Sequence, residues 1–171
     1  MDIAVSISLG QFQLYGIVFL LGSFSVAALS DLRRMSAQVE FTEIWAVFIG
    51  IFFIIDIITW QSADQKMLLL KWLLILFFAL VSNARFGLLF RVARGDLLAC
   101  AAVLIILPFF LGLVFIILLK VMDLILKPLL RRAGSGSAYP FIPVVWAASI
   151  LLFIAEWYFG SRGAVIFNIP I

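Results

Sequence analysis

Two aspartates hold the chemistry this chain is equipped to perform. Asp31 stands in Ser30-Asp31-Leu32-Arg33-Arg34 and Asp96 in Ala93-Arg94-Gly95-Asp96, each at the end of a long apolar run. Two carboxyls a few ångströms apart cannot both ionise easily, so they share a proton. One acts as base on a water molecule, while its protonated partner donates to the oxyanion formed when that water attacks a peptide carbonyl. Such a pair requires no metal, nucleotide or covalent intermediate. Histidine is absent and Cys100 is the single cysteine. That removes Ser/His and Cys/His catalysis, imidazole metal sites, cysteine-rich metal sites and an intrachain disulfide. Aspartates beside arginines at span ends also serve as interfacial caps or ion partners, and the residues alone leave both readings open.

The elements that would position this pair follow from composition. Of 171 residues, 66% are hydrophobic and 12% charged, against about 25% charged in soluble domains. A soluble globule is excluded, and the expectation is an all-α integral membrane protein in which residues 1–171 form a single polytopic domain with no soluble domain. The formal net charge of +3 comes from basic residues that flank apolar segments rather than forming a patch. Membrane lipid, not nucleic acid, is therefore the expected contact. Met1-Asp2-Ile3 lacks a basic n-region and the apolar segment after it is too long for a secretory signal, so a retained first span is expected.

A helix crosses the hydrocarbon with about 20 apolar residues. Residues 11–30, 41–60, 67–81 and 143–160 read as spans. The stretch 97–130 contains Pro108, whose missing amide disrupts a helix interior, so it reads as one span with an amphipathic tail or as two short spans. Cytoplasmic loops accumulate Lys and Arg. Arg33 and Arg34, then Arg85, Arg91 and Arg94, then Lys127, Arg131 and Arg132 share one side only if two crossings lie between Asp96 and Arg131. The resulting expectation is a six-transmembrane-helix bundle with a short fourth/fifth helical hairpin and both termini outside. Lys66 and Arg162 then face the opposite compartment, and Asp31 and Asp96 share the cytoplasmic boundary. Ser62-Ala63-Asp64-Gln65 has capping-box spacing for the third helix, and Ala133 to Ala138, AGSGSA, reads as a flexible linker.

Asp56, Lys71 and Glu156 fall inside spans, where charges are costly and usually paired. Lys71 is expected to pair with Asp56 or Glu156; a proton path is the alternative. Asp123 lies between Lys120 and Lys127 at helical spacing and reads as a local surface network. Glu40 and Glu43 open the second span at the positive end of its dipole.

The two aspartate motifs, with Pro140-Phe141-Ile142-Pro143 before the last span, resemble those of the type IV prepilin and preflagellin peptidases. That family has six spans, one aspartate at the cytoplasmic end of the first, another in a Gly-x-Gly-Asp motif at the fourth, and a Pro-Phe-x-Pro stretch before the last. The likeness covers nearly the whole chain in order. It implies an intramembrane aspartic endopeptidase of the cell membrane, with Asp31 and Asp96 catalytic and no cofactor. Its substrates would be prepilin-like precursors, each presenting a hydrophobic N-terminal helix and losing its leader at the cytoplasmic face. Ala93 replaces the family's first glycine, Met35-Ser36-Ala37-Gln38 stands where Ile-Pro-Asn is common, and the cysteine-bearing insertion of many bacterial members is missing, so methyl transfer is not implied. Two alternatives stand beside this: an inactive relative, and a non-enzymatic assembly or transport subunit built around Asp56, Lys71 and Glu156.

Overall fold

The computed structural model describes residues 2–4, 9–34, 39–60, 64–83, 88–90, 92–133, 140–160 and 168–170. These form six helices: α1 Gln11–Arg34, α2 Val39–Ile58, α3 Gln65–Ser82, α4 Arg94–Ile106, α5 Phe109–Ala133 and α6 Ile142–Gly160. Two three-residue strands, β1 Asp2–Ala4 and β2 Asn168–Pro170, pair antiparallel with Ile3 opposite Ile169. This ribbon adds to the all-helical expectation and joins the two ends of the chain. Segments in α1, α2, α3 and α5 are long and apolar enough to cross a membrane, and the apolar stretch Ile142–Tyr158 of α6 is shorter.

The break within residues 97–130 falls where proline demands it. Leu107 has φ −78° and ψ 140°, the extended conformation that a following proline imposes, and α5 starts at Phe109. The hairpin is not short on both sides, however. Helix α4 has 13 residues, a rise of about 20 Å, whereas α5 runs 25 residues and continues through Pro128. The start of α3 is also capped differently from the Ser62 expectation. Asp64 is the N-cap, its carboxylate accepting from the amides of Lys66 and Met67 at 3.1 and 3.5 Å. Ser62, Arg85, Arg91, Arg162 and linker residues 134–138 lie outside the described residues.

Helix α4 is the axis of the bundle. Ala99, Cys100 and Ala102 are fully buried, and Val103 to Leu107 nearly so. Small side chains let neighbouring backbones approach, which drives helix association in a lipid environment where apolar burial gives little advantage. Around α4 pack α1, α2, α3 and α6, while α5 closes against α3 and α6. Gly16 on α1 is a point of close approach. A Cβ there would lie 3.1 to 3.3 Å from Phe52, Ile106 and Phe48.

Helix α2 is held differently. It packs on α4 but meets α1 through rings: Phe12 with Phe52, Phe19 with Phe48, and Phe24 with Trp45, centroids 5.3, 5.7 and 5.2 Å apart. Trp45 Nε1 donates to Ser23 Oγ at 3.1 Å and Trp146 Nε1 to Ser25 Oγ at 3.0 Å. Two serines on α1, Ser23 and Ser25 on either side of Phe24, thus tie it to α2 on one side and α6 on the other, the kind of polar link that holds helices together in lipid.

Candidate active site at the α1, α4 and α6 ends

Asp31 occupies the last turn of α1 and is 4% exposed. The turn that carries it faces the start of α6, where the backbone amides of Phe141 and Ile142 donate hydrogen bonds to its carboxylate. The first amides of a helix have no partner within the helix, so an acidic side chain is a natural acceptor for them. Pro140 and Phe141 are buried and Ile142 completely so, which fixes these donors in place. The other carboxylate oxygen, Oδ2, is buried and has no hydrogen-bond partner among the described residues.

Asp96 is the third residue of α4. Its Oδ2 accepts the amide of Ala93 at 3.3 Å, half of the reciprocal arrangement that closes helix N-termini. Ala93 has φ −69° and ψ 166°. That is extended backbone, which any residue adopts, so alanine in place of glycine imposes no strain here. The charge of Asp31 acts on the Asp96 carboxyl across the site, and that of Asp96 acts on the Cys100 thiol one turn deeper. Asp31, Asp96 and the Phe141–Ile142 amides, more than 40 residues apart along the sequence, are therefore brought together at one end of the bundle.

The approach to α4 is braced by contacts that sequence spacing does not reveal. The Leu88 and Val92 amides bond back to Val81 O at 3.2 Å and Ser82 O at 3.3 Å, folding the α3–α4 connection over the end of α3. Lys120 Nζ donates to Leu89 O at 2.9 Å and lies 4.8 Å from the centroid of the Phe90 ring. Phe90 in turn meets Phe78 at 6.0 Å and Phe141 edge-on at 5.6 Å. A chain of contacts thus runs from α5 through Phe90 to the segment that donates to Asp31. The Lys120, Asp123 and Lys127 grouping is correspondingly not one surface network. Asp123 is buried with Lys127 Nζ at 4.0 Å, and Lys120 reaches the loop instead.

The second set of membrane charges sits at the other end of α4. Lys71 pairs with Asp56, and the same Lys71 Nζ donates to Ile105 O at 3.2 Å. Trp72 Nε1 donates to Asp56 Oδ2 at 3.1 Å, and Gln13 Nε2 to Ile106 O at 2.7 Å. The last carbonyls of α4 are thereby satisfied inside the bundle, where an orphaned acceptor would be costly. Glu156, the other partner considered for Lys71, accepts the Leu9 amide at 3.3 Å. Nine residues, about 14 Å of helix rise, separate Asp96 from Ile105, and the α4 side chains between them are apolar but for the Cys100 thiol. Among the described residues no three of Cys, Asp and Glu cluster to hold a metal ion. Comparison with protein-family models, characterised proteins and solved structures returns no match to this chain.

Proposed function

We propose that this chain is an intramembrane aspartic endopeptidase of the prepilin and preflagellin type, with Asp31 and Asp96 as its catalytic pair. The observation that carries the reading is the convergence of Asp31, Asp96 and the Phe141–Ile142 amides. These are the three landmarks on which the sequence resemblance rests. In this reading the pair shares a proton. The ionised carboxyl takes a proton from water, that water attacks the scissile carbonyl, and the protonated carboxyl gives its proton to the oxyanion; as the diol collapses, the carboxyl that took the water's proton passes it to the leaving amine and the other recovers a proton from the diol. The substrate is a precursor whose hydrophobic helix lies in the membrane, with the cut at the cytoplasmic boundary.

The finer topology belongs to the same proposal: six crossings in the cytoplasmic membrane, both termini outside. Pairing of β1 with β2 supports it, because chain ends on one side require an even number of crossings. The bond from Leu9 to Glu156 ties the same two ends together. Of the three residues on which the assembly or transport reading rests, Asp56 and Lys71 have a structural use in closing α4, and Glu156 lies apart from them, accepting the Leu9 amide.

Co-expression with a panel of prepilin-like precursors tests the proposal by leader removal. Asp31→Asn and Asp96→Asn should each abolish cleavage with membrane insertion intact, and the double variant should be hardly worse, since a pair acting as a unit loses its function once. Normal processing by either single variant overturns the assignment.

A further inference from the structure

The start of α6 offers few backbone donors. Within residues 140–145 only Phe141, Ile142, Val144 and Val145 carry an N–H, because Pro140 and Pro143 have none. Val144 and Val145 both donate to Phe141 O, at 2.9 and 3.2 Å. The remaining amides, those of Phe141 and Ile142, donate to Asp31. No acidic side chain stands in the first turn of α6 itself, so Asp31 caps this helix from α1. Its Oδ2 has no partner among the described residues, which puts both bonds on Oδ1. Asp96 is held differently, with the single amide of Ala93 at 3.3 Å from its Oδ2. Amide donors favour the ionised carboxylate over the neutral acid, the more so when two converge on one oxygen at the positive end of a helix dipole. One amide on one oxygen leaves the other free to carry a proton.

We infer that Pro140-Phe141-Ile142-Pro143 is a two-donor clamp that makes the pair unequal, holding Asp31 as the anionic base and leaving Asp96 as the proton-bearing acid. The inference rests on the peptidase reading for the chemistry, though not for the unequal protonation. Asp31 Oδ2, which the clamp leaves free, takes a proton from water as the water oxygen bonds to the scissile carbonyl carbon, and Asp96 Oδ1 gives its proton to the carbonyl oxygen. As the diol collapses and the C–N bond breaks, Asp31 passes its proton to the leaving amine and Asp96 takes one from the diol. Each carboxyl thus returns to its starting form. Phe141 and Ile142 are positioning residues that act through their amides, their side chains being buried. Among the described residues, α4 brings Asp96 to this end, with Cys100 a turn deeper and Arg94 exposed at its first position. Glu40 and Glu43 at the start of α2 are exposed, and Glu156 of α6 lies near that helix's other end.

Amide-to-ester exchange tests the clamp, with Phe141 or Ile142 replaced by its α-hydroxy acid in the whole chain, reconstituted in lipid bilayers. Each exchange removes one N–H and keeps the side chain. The same exchange at Val144, whose amide serves Phe141 O, is the control. The first readout needs no precursor. A hydrophobic carbodiimide reacts with protonated carboxyls, and mass spectrometry across a pH series gives each aspartate a labelling midpoint that does not depend on how accessible it is. The Asp31 midpoint should lie at least about one pH unit below that of Asp96, and the ester at 141 or 142 should raise it by about one unit, with no effect from the ester at 144. An Asp31 midpoint at or above that of Asp96, or one that neither ester moves, overturns the inference. In precursor cleavage the acid limb of the pH profile should rise by about the same amount, because the base must be ionised to act. Movement of the alkaline limb alone would reverse the two roles and overturn it as well. Midpoints that separate as expected, with no cleavage by the unsubstituted protein, defeat the peptidase reading and leave the clamp standing.

Discussion

Substitution of Lys71 by methionine should be among the most damaging single changes outside the candidate site, and the structure gives the reason. Lys71 and Asp56 are 11% and 13% exposed, so their pair is nearly dry. Lys71→Met leaves the Asp56 carboxylate with Trp72 Nε1 as its donor and Ile105 O without the donor seen here. Removing one member of a buried pair costs about 3–5 kcal/mol, largely because the other charge is left uncompensated. Replacing both, as Asp56→Leu with Lys71→Met, abolishes the stranded charge and leaves mainly unpaired hydrogen-bonding groups, a cost of about 1–3 kcal/mol. The double variant should therefore be more stable than the single one by about 2 kcal/mol. Titration with SDS in mixed micelles, followed by tryptophan fluorescence, measures both differences. A single variant within about 1 kcal/mol of the unsubstituted protein, or a double variant no better than the single, would refute the view that this pair closes the end of α4.

Three further outcomes are expected. Lys120→Met removes the bond to Leu89 O and the contact with the Phe90 ring; stability should fall by about 1 kcal/mol, while precursor cleavage drops more than this loss explains, as kinetics on purified protein would show. Ala93→Gly should leave cleavage within about twofold, because the backbone at Ala93 is already in an ordinary extended conformation; a large gain would mean that alanine hinders the site. Gly16→Val should destabilise by about 1–3 kcal/mol in the same micelle titration, since the new side chain meets Phe52, Ile106 and Phe48 at close contact.

The parts of the fold legible in the sequence are those governed by local chemistry. Apolar length located α1, α2, α3 and α6 to within a few residues, and the missing amide of Pro108 located the α4–α5 break. The length of α5 was not legible, because Lys120, Asp123 and Lys127 punctuate it with charge although the helix runs on to Ala133. The ion pair of Lys71 was narrowed to two acids, and only packing chooses Asp56 over Glu156. At the candidate site, the aspartates stood out as carboxylates at the ends of apolar runs. The roles of Phe90, Lys120 and the Phe141–Ile142 amides had no local signature, since each depends on a contact across more than 20 residues of chain. The partner of Glu156 lies 147 residues away, a separation that no spacing rule reaches.

The short axial helix bears on how such a molecule responds to its surroundings. A rise of about 20 Å falls about 10 Å short of a typical hydrocarbon layer. Helices in contact with lipid answer such a deficit by local thinning of the bilayer or by tilting. Residues 99–107 of α4 and its exit, apart from the half-buried Ala101, are walled off by neighbouring helices, so over that stretch the deficit is not presented to lipid. Thicker or thinner bilayers would therefore strain the outer ring first, and the spacing between the two polar ends of α4 would hold steady while the shell around it adjusts.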